Sequence, residues 1–202
     1  MTSSLPTPPC ILILAAGRGE RFRASGGSTH KLDAPLGGPG SPTVLENILA
    51  GVQASGLPWH LERGPHPGMG DSIAAAVRAT AGSAGWLILP ADLPLVQPAT
   101  LRIVAQALVE ASAQHPEALT VIQPRFQGRK GHPVAFSAAA GPALMRLTGD
   151  QGAASVVREA MAAGLCTALP TFDEGCVLDV DTVEAMEQAR ALWARQQIPG
   201  RE

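Results

Sequence analysis

The sequence predicts an α/β domain in which a mainly parallel sheet carries helices on both faces. Three observations lead there. Short apolar runs alternate along the chain with longer stretches of helical periodicity. The runs are apolar throughout rather than alternating with polar residues, which marks strands buried on both faces. Proline and hydroxyl residues stand where the helices should begin. Strands separated by helices in this way build a parallel sheet.

Taken in order, the expected strands are "CILIL" (10–14), "WLIL" (86–89), "ALTVI" (118–122), "PVAF" (133–136), "CTAL" (166–169) and "CVLDV" (176–180). The expected helices span 43–55, 71–81, 98–114, 138–147, 152–163 and 182–196. Ser41-Pro42-Thr43 precedes the first helix and Gln97-Pro98 opens the third, placing proline near a first turn. No internal repeat or linker interrupts the pattern, so residues 1–202 read as a single domain.

Composition narrows the function. With 46% apolar residues, 16% charged ones and a net charge of -2, the chain is expected to fold and offers no generic nucleic-acid surface. Tyrosine is absent and aromatics total 3%, so stacking platforms for single strands are not expected. No apolar run approaches the ~20 residues of a membrane span. The start, "MTSSLPTPP", lacks the basic region of a signal peptide. Cys10, Cys166 and Cys176 show no CxxC spacing and read as simple thiols in a reducing cytosol, so the expected location is cytoplasmic.

In open α/β sheets ligands bind beyond the carboxyl ends of the strands. The first such end is "ILILAAGRGERF" (11–22). Gly17 and Gly19 would let backbone amides approach an anion, and Arg18, Arg21 and Arg23 add fixed positive charge. There is no GK[ST] at P-loop spacing, and the third glycine of GxGxxG would fall on Phe22. On glycine spacing alone the loop is better read as a surface turn with solvated arginines. Lys31 shifts the balance. Only two of the 15 basic residues are lysines, Lys31 and Lys130, and Lys31 closes the same glycine- and serine-rich loop. A mobile ammonium beside arginines suits a triphosphate whose charge grows during displacement.

These residues resemble a known family. "LAAGRGERF…HKLDAPLGG" is similar to LAAGxSxRMG…KLLxPLxG of the molybdenum-cofactor cytidylyltransferases, within the MobA-like nucleotidyltransferases. "GMGDSIAAAV" (68–77) resembles GMGxSLxxGV, and "LPADLPLVQPATL" (89–101) resembles LGDMPxVxPxTL. "GRKGHPVAF" (128–136), "GDQGA" (149–153) and "LDVDTVEAM" (178–186) resemble GxRGHPVxF, GDxGAR and xDIDTPEDL. Six motifs in the same order cover most of the chain. The resemblance implies a Rossmann-like fold and transfer of CMP from CTP to molybdenum-bound molybdopterin, for a molybdenum hydroxylase client.

Asp92 follows the strand "WLIL", and a carboxylate at a strand end in a phosphate site is a natural Mg²⁺ ligand. Asp179 and Asp181, two apart, share a face if the strand stays extended, so both could reach the site. Asp181 could also cap the helix from 182. The resemblance selects Asp181, with Asp92, as the metal pair, and Lys31, Arg21 and Asp92 as catalytic. It places the nucleotide on Leu14, Ala15, Ala16, Gly17, Arg18 and Gly19, with Gly68, Gly70 and Ser72 at the start of the next helix. Free amides there favour anions, although Asp71 or Ser72 could equally be plain caps. The pterin side is assigned to Arg129, His132, Gly149 and Asp150.

Several positions depart from the family pattern. Arg21-Phe22-Arg23 replaces RMG, "SGGSTH" lengthens the loop before Lys31, Ala91 precedes the metal aspartate, and Val183 replaces a proline. Between "ASGLP" and "GMG" only "WHLERGPHP" remains, too short for the strand, helix and strand usual there. A shortened strand-helix unit is therefore expected, with an edge element lost. "LAAG" resembles the cytidine-using branch, whereas the guanosine-using branch carries LAGG. Two other readings stand beside this one: a sugar- or polyol-phosphate nucleotidyltransferase of the same fold, and an escort that binds the cofactor without turning over nucleotide.

Overall fold

The computed structural model describes residues 8–197. Most of the N-terminal stretch weighed as a signal peptide, residues 1–7, lies outside them. Seven strands form one sheet: β1 (Cys10–Leu14), β2 (Trp59–Glu62), β3 (Gly85–Pro90), β4 (Val121–Phe126), β5 (Arg129–Lys130), β6 (Val134–Ser137) and β7 (Cys166–Pro170). The order is β2-β1-β3-β6-β4-β5, and β7 also pairs with β4. β1 runs parallel to β2 and β3, and β4 parallel to β7. β6 is antiparallel to both β3 and β4, and β5 is antiparallel to β4. The sheet is thus mixed, with β1, β2, β3, β4 and β7 sharing one direction.

Among the described residues seven α-helices accompany it: α1 (Glu20–Ala24), α2 (Val44–Ser55), α3 (Met69–Ala79), α4 (Pro98–Gln114), α5 (Gly141–Leu144), α6 (Ala154–Ala162) and α7 (Val183–Gln196). Period-two alternation splits the buried strand residues between two cores. Ile11, Ile13, Leu87 and Leu89 pack with Ile48, Leu101 and Met186, against α2, α4 and α7. Leu12, Trp86, Ile88 and Phe136 pack with Ile73, Leu144 and Val156, against α3, α5 and α6. Each fully buried Leu or Ile contributes about 1.5–3 kcal/mol. Among the described residues no helix is long and apolar enough to cross a membrane.

Local chemistry explains the element starts. Thr43 and Glu46 form a reciprocal capping box at α2. α4 has Pro98 in its first turn but no side-chain cap of its own. Its first amide, Gln97 N–H, instead donates to Asp173 Oδ2 at 2.9 Å, and Thr100 Oγ1 donates to the same oxygen at 2.7 Å. Asp173 is buried, and burial pushes its carboxyl above the usual range although these donors pull it down. Asp173→Ala would strand three buried donors, counting Gly175 N–H. The expected loss is about 2–3 kcal/mol of unfolding free energy by denaturant titration.

Three sequence expectations are corrected. "CVLDV" is not a strand: Glu174–Val177 is a 3₁₀ turn, and the segment meets its neighbours through single bonds, His132 N–H to Cys176 O within the turn and Val180 N–H to Asp92 O beyond it. Cys176 and Val177 reach the core without a ladder. The helix expected over 138–147 is broken into a 3₁₀ turn and the four-residue α5, with Pro142 in its first turn. An edge strand absent from the expected set is present: Trp59–Glu62 pairs in parallel with Ile11–Leu14, and residues 63–68 then lead directly into α3, so one strand stands where strand, helix and strand were the pattern and the unit is shortened as expected.

Candidate active site

β1 and β3 end side by side, with Leu14 in register with Pro90. The chain leaving β1 turns through Ala15–Arg18 to Gly19, whose φ of 63° admits glycine readily, and enters α1. The following excursion is pinned by His30. Its Nδ1 accepts Leu32 N–H at 3.3 Å, so its Nε2 carries the proton and donates to Gly17 O at 3.0 Å. The inserted "SGGSTH" therefore folds back on the glycine turn and delivers Lys31 to the strand ends.

Lys31 is buried, at 8% exposure, and its Nζ lies 2.6 Å from Asp92 Oδ2 and 2.6 Å from Asp181 Oδ1. Arg21 reaches the other oxygen of Asp181 at 3.0 Å from solvent. Asp181 does not cap α7; Thr182 Oγ1 accepts Ala185 N–H at 3.1 Å and takes that role, leaving the Asp181 carboxylate for the cluster. Ser25 Oγ accepts Val183 N–H at 3.0 Å, tying the arginine segment to this strand end.

Burial opposes the charge on Lys31, but Asp92 and Asp181 outweigh it and hold the ammonium above the ordinary lysine value. Burial likewise raises the Asp181 carboxyl, and Lys31 with Arg21 more than reverse this, leaving it below the ordinary range. The signs bound a pH window. Pairing of the raised lysine stabilises fully below about 10.5 and fades above it. The lowered carboxylate contributes above about 4 and fades as pH falls below that. Melting curves are expected to show a difference between wild type and Lys31→Met that is flat between about pH 5 and 9 and shrinks outside.

A cavity of about 560 Å³ opens over these groups. Leu14, Ala15, Ala16, Gly17, Arg18 and Gly19 line one side, with Arg21 and Lys31; Gly68 and Ser72 line another, and Asp92 and Asp181 lie at the wall. Arg23 turns back to donate to Arg18 O at 2.8 Å. Gly70 does not line the cavity: it is buried, and a Cβ there would lie 2.8 Å from Thr148 O. Neither Asp71 nor Ser72 caps α3, which starts at Gly68 without a side-chain cap. Asp71 Oδ2 accepts Gly149 N–H at 2.9 Å, and a Cβ on Gly68 would lie 2.3 Å from the Gly149 carbonyl carbon. The "GMGDS" and "GDQG" motifs are therefore one packed unit.

The residues expected on the pterin side separate. His132 lines a second cavity of about 400 Å³ that shares Leu14, Met69 and Pro90 with the first. Burial pushes its imidazole below the ordinary value, against the pull of Asp92 and Asp179, so it is neutral near pH 7. Asp150 lines the first cavity, and Gly149 lines neither. Arg129 also lines neither; its guanidinium donates to Val177 O at 3.1 Å, and the next residue, Lys130, lines the second cavity instead. Sequence reasoning did not find His30, His66, Lys130 or Arg158. The one available signal was the pair of histidines flanking glycine motifs, His30 and His66.

Asp92 and Asp181 offer the hard oxygen donors that a small divalent cation prefers, and their oxygens converge on one ammonium. Among the described residues no group of three His, Cys, Asp or Glu side chains forms a metal site. A cation here would take two carboxylates and complete its shell with phosphate and water, as Mg²⁺ does. The residues present fit such an ion.

Comparison with known proteins gives the family and the fold. Residues 41–164 match the MobA-like NTP transferase domain, a stretch that includes "GMGDS", Asp92, His132 and "GDQG". Functionally curated proteins give no match to the sequence. Among solved structures, a nucleotidyl transferase from Methanothermobacter thermautotrophicus superposes with a TM-score of 0.75 at 19% identity, over 94% of this chain and 99% of its own. Rv0371c of Mycobacterium tuberculosis H37Rv, in complex with manganese, gives 0.60 at 22% identity, over 92% and 99%. Molybdopterin-guanine dinucleotide biosynthesis protein A from Archaeoglobus fulgidus gives 0.54 at 15% identity, over 92% and 99%. At these identities the likeness is one of fold, a Rossmann-like α/β nucleotidyltransferase architecture.

Proposed function

Because the chain belongs to the family of MobA-like NTP transferase domains, we propose that it is a single-domain cytidylyltransferase acting on molybdenum-bound molybdopterin. It would transfer CMP from CTP and release pyrophosphate, supplying a molybdenum hydroxylase client in the cytoplasm. The observation that carries the reading is the cluster of buried Lys31 with the partly exposed Asp92 and Asp181 at the ends of β1 and β3, with an apolar cavity directly beside it.

The first cavity is assigned to the nucleotide. Amides of the Ala15–Gly19 turn face the phosphates, and Arg18 and Arg21 neutralise them from the rim. Asp92 and Asp181 would hold Mg²⁺, which when bound neutralises phosphate charge and makes the α-phosphorus more electrophilic. Lys31 keeps the two carboxylates convergent and adds a positive charge where negative charge grows. The acceptor's terminal phosphate oxygen forms a bond to the α-phosphorus in line, as the bond to pyrophosphate breaks. No side-chain nucleophile is needed, and positioning does most of the work. A manganese complex of a structural neighbour supports a divalent ion in this fold.

The second cavity supports a pterin over a sugar or polyol. Ile73, Ile88, Val134, Phe136, Val157 and Met161 give it apolar walls, which would leave the hydroxyls of a polyol unpaired. Gln123, Lys130, His132 and Arg158 supply the few polar groups that would orient a flat, anionic ligand. A neighbour named for molybdopterin-guanine dinucleotide biosynthesis supports that acceptor class. The base is assigned to cytosine on the resemblance of "LAAG" to the cytidine-using branch. The test is transfer of label from α-³²P-CTP, with molybdenum-bound pterin and with sugar and polyol phosphates as competing acceptors. Label is expected on the pterin alone; label on a sugar or polyol phosphate would overturn the acceptor.

A further inference from the structure

Glu62 and His66 stand on the flank of the nucleotide cavity opposite Asp92. β1 lies between β2, which Glu62 ends, and β3, which Asp92 follows. Glu62 is in register with Leu14, and His66 sits in the passage to α3 and lines the cavity. Both side chains are largely enclosed, at 14% and 19% exposure. Glu62 Oε1 accepts Gly64 N–H at 2.9 Å and faces His66 Nε2 at 3.0 Å, while Oε2 faces His60 Nε2 at 3.4 Å.

Burial raises the Glu62 carboxyl, but the bonds from His66, Gly64 and His60 outweigh it and keep it ionised. An ionised carboxylate only accepts, so the proton of a neutral His66 lies on Nε2. Its Nδ1 is then an acceptor, and among the described residues it has no hydrogen-bond partner. The phosphate-binding charges lie elsewhere, on Arg18, Arg21 and Lys31, while His66 is followed at the rim by Pro67, Gly68 and Met69. That rim leaves surface for a base between the His66 acceptor and the Asp150 carboxylate, which also lines the cavity beside Gly68.

We infer that the Glu62–His66 pair selects the base: Glu62 fixes the His66 tautomer, and Nδ1 accepts a hydrogen bond from an exocyclic amine on the nucleotide ring. The inference rests on the reading of this cavity as a CTP site. Cytosine and adenine present an amine at that ring position, whereas uracil and guanine present a carbonyl oxygen. A carbonyl there would set two acceptors face to face and lose the bond.

The test is equilibrium binding of CTP and of UTP, with Mg²⁺ and no acceptor, to the whole chain and to His66→Phe and Glu62→Ala. Wild type is expected to favour CTP by about ten-fold, the worth of one buried hydrogen bond kept rather than lost. His66→Phe should bring the two nucleotides within about two-fold by weakening CTP. Glu62→Ala should narrow the gap from the other side: with no acceptor facing Nε2 the proton is free to move to Nδ1, where it serves the uracil oxygen. A gain in UTP affinity is not expected of a merely structural defect. The ¹⁵N chemical shifts of His66 give a readout independent of binding: protonated Nε2 in wild type, mixed tautomers in Glu62→Ala. CTP preference kept in both variants would overturn this inference while leaving the CTP site intact. A wild type that binds CTP and UTP alike would overturn the base assignment along with it.

Discussion

Asp92→Ala is expected to lower nucleotidyl transfer by about a thousand-fold or more while leaving the fold in place. Both halves follow from the cluster. Asp92 is one of the two carboxylates that fix the Lys31 ammonium, and one of the two that would hold a divalent ion in the proposed mechanism. Its loss removes charge stabilisation where phosphate charge develops. Stability should change little, because Lys31 keeps Asp181 at 2.6 Å and so avoids becoming an uncompensated buried charge. Pyrophosphate release measures the first effect and thermal melting the second. Activity within ten-fold of wild type would remove Asp92 from the centre of the mechanism.

Gly68→Ala should be damaging by a different route, through stability as well as binding. Gly68 has an extended backbone, with φ of -156°, which alanine adopts freely, so strain at the residue itself is not the cause. The cause is contact. The added methyl would lie 2.3 Å from the Gly149 carbonyl carbon and 2.4 Å from its oxygen, and both are backbone atoms. The 148–150 segment must move off α3, which breaks the bond from Gly149 N–H to Asp71 and pulls Asp150 away from the nucleotide cavity. A loss of about 2–3 kcal/mol in stability and at least ten-fold in CTP affinity is expected, from chemical denaturation and titration. Gly38→Ala, where nothing lies within 4 Å, is the matching control and should be close to neutral.

The strongest sequence signals were those in which one local rule decided the outcome. β1 and β3 are unbroken apolar runs, and α2 and α4 carry their start signals in the sequence; all four lie where expected, to within a residue or so. Strand direction is a different matter. "PVAF" reads the same parallel or antiparallel, and only its pairing with β3 and β4 reverses it. "CVLDV" is apolar because it is buried, and burial alone does not make a ladder. β2 was missed because "WHLE" is half polar, as an edge strand can be. In the site, glycines, arginines, Lys31 and the aspartates stood in recognisable motifs, and the structure brings Lys31, Asp92 and Asp181 together. Side-chain direction was not legible: adjacent residues on β5 face opposite ways, which turns Arg129 to Val177 and gives Lys130 to the second cavity. The clamp of His30 on Gly17 and the pairing of Glu62 with His66 depend on loop conformations that no spacing rule encodes.

The most direct test of the central claim, that this cleft turns over nucleotide, is pyrophosphate release with Mg²⁺, molybdenum-bound pterin and each of CTP, GTP, ATP and UTP in turn. The account predicts release with CTP well above the other three. Binding of the pterin without release from any nucleotide would contradict it and leave a cofactor escort as the function of the chain.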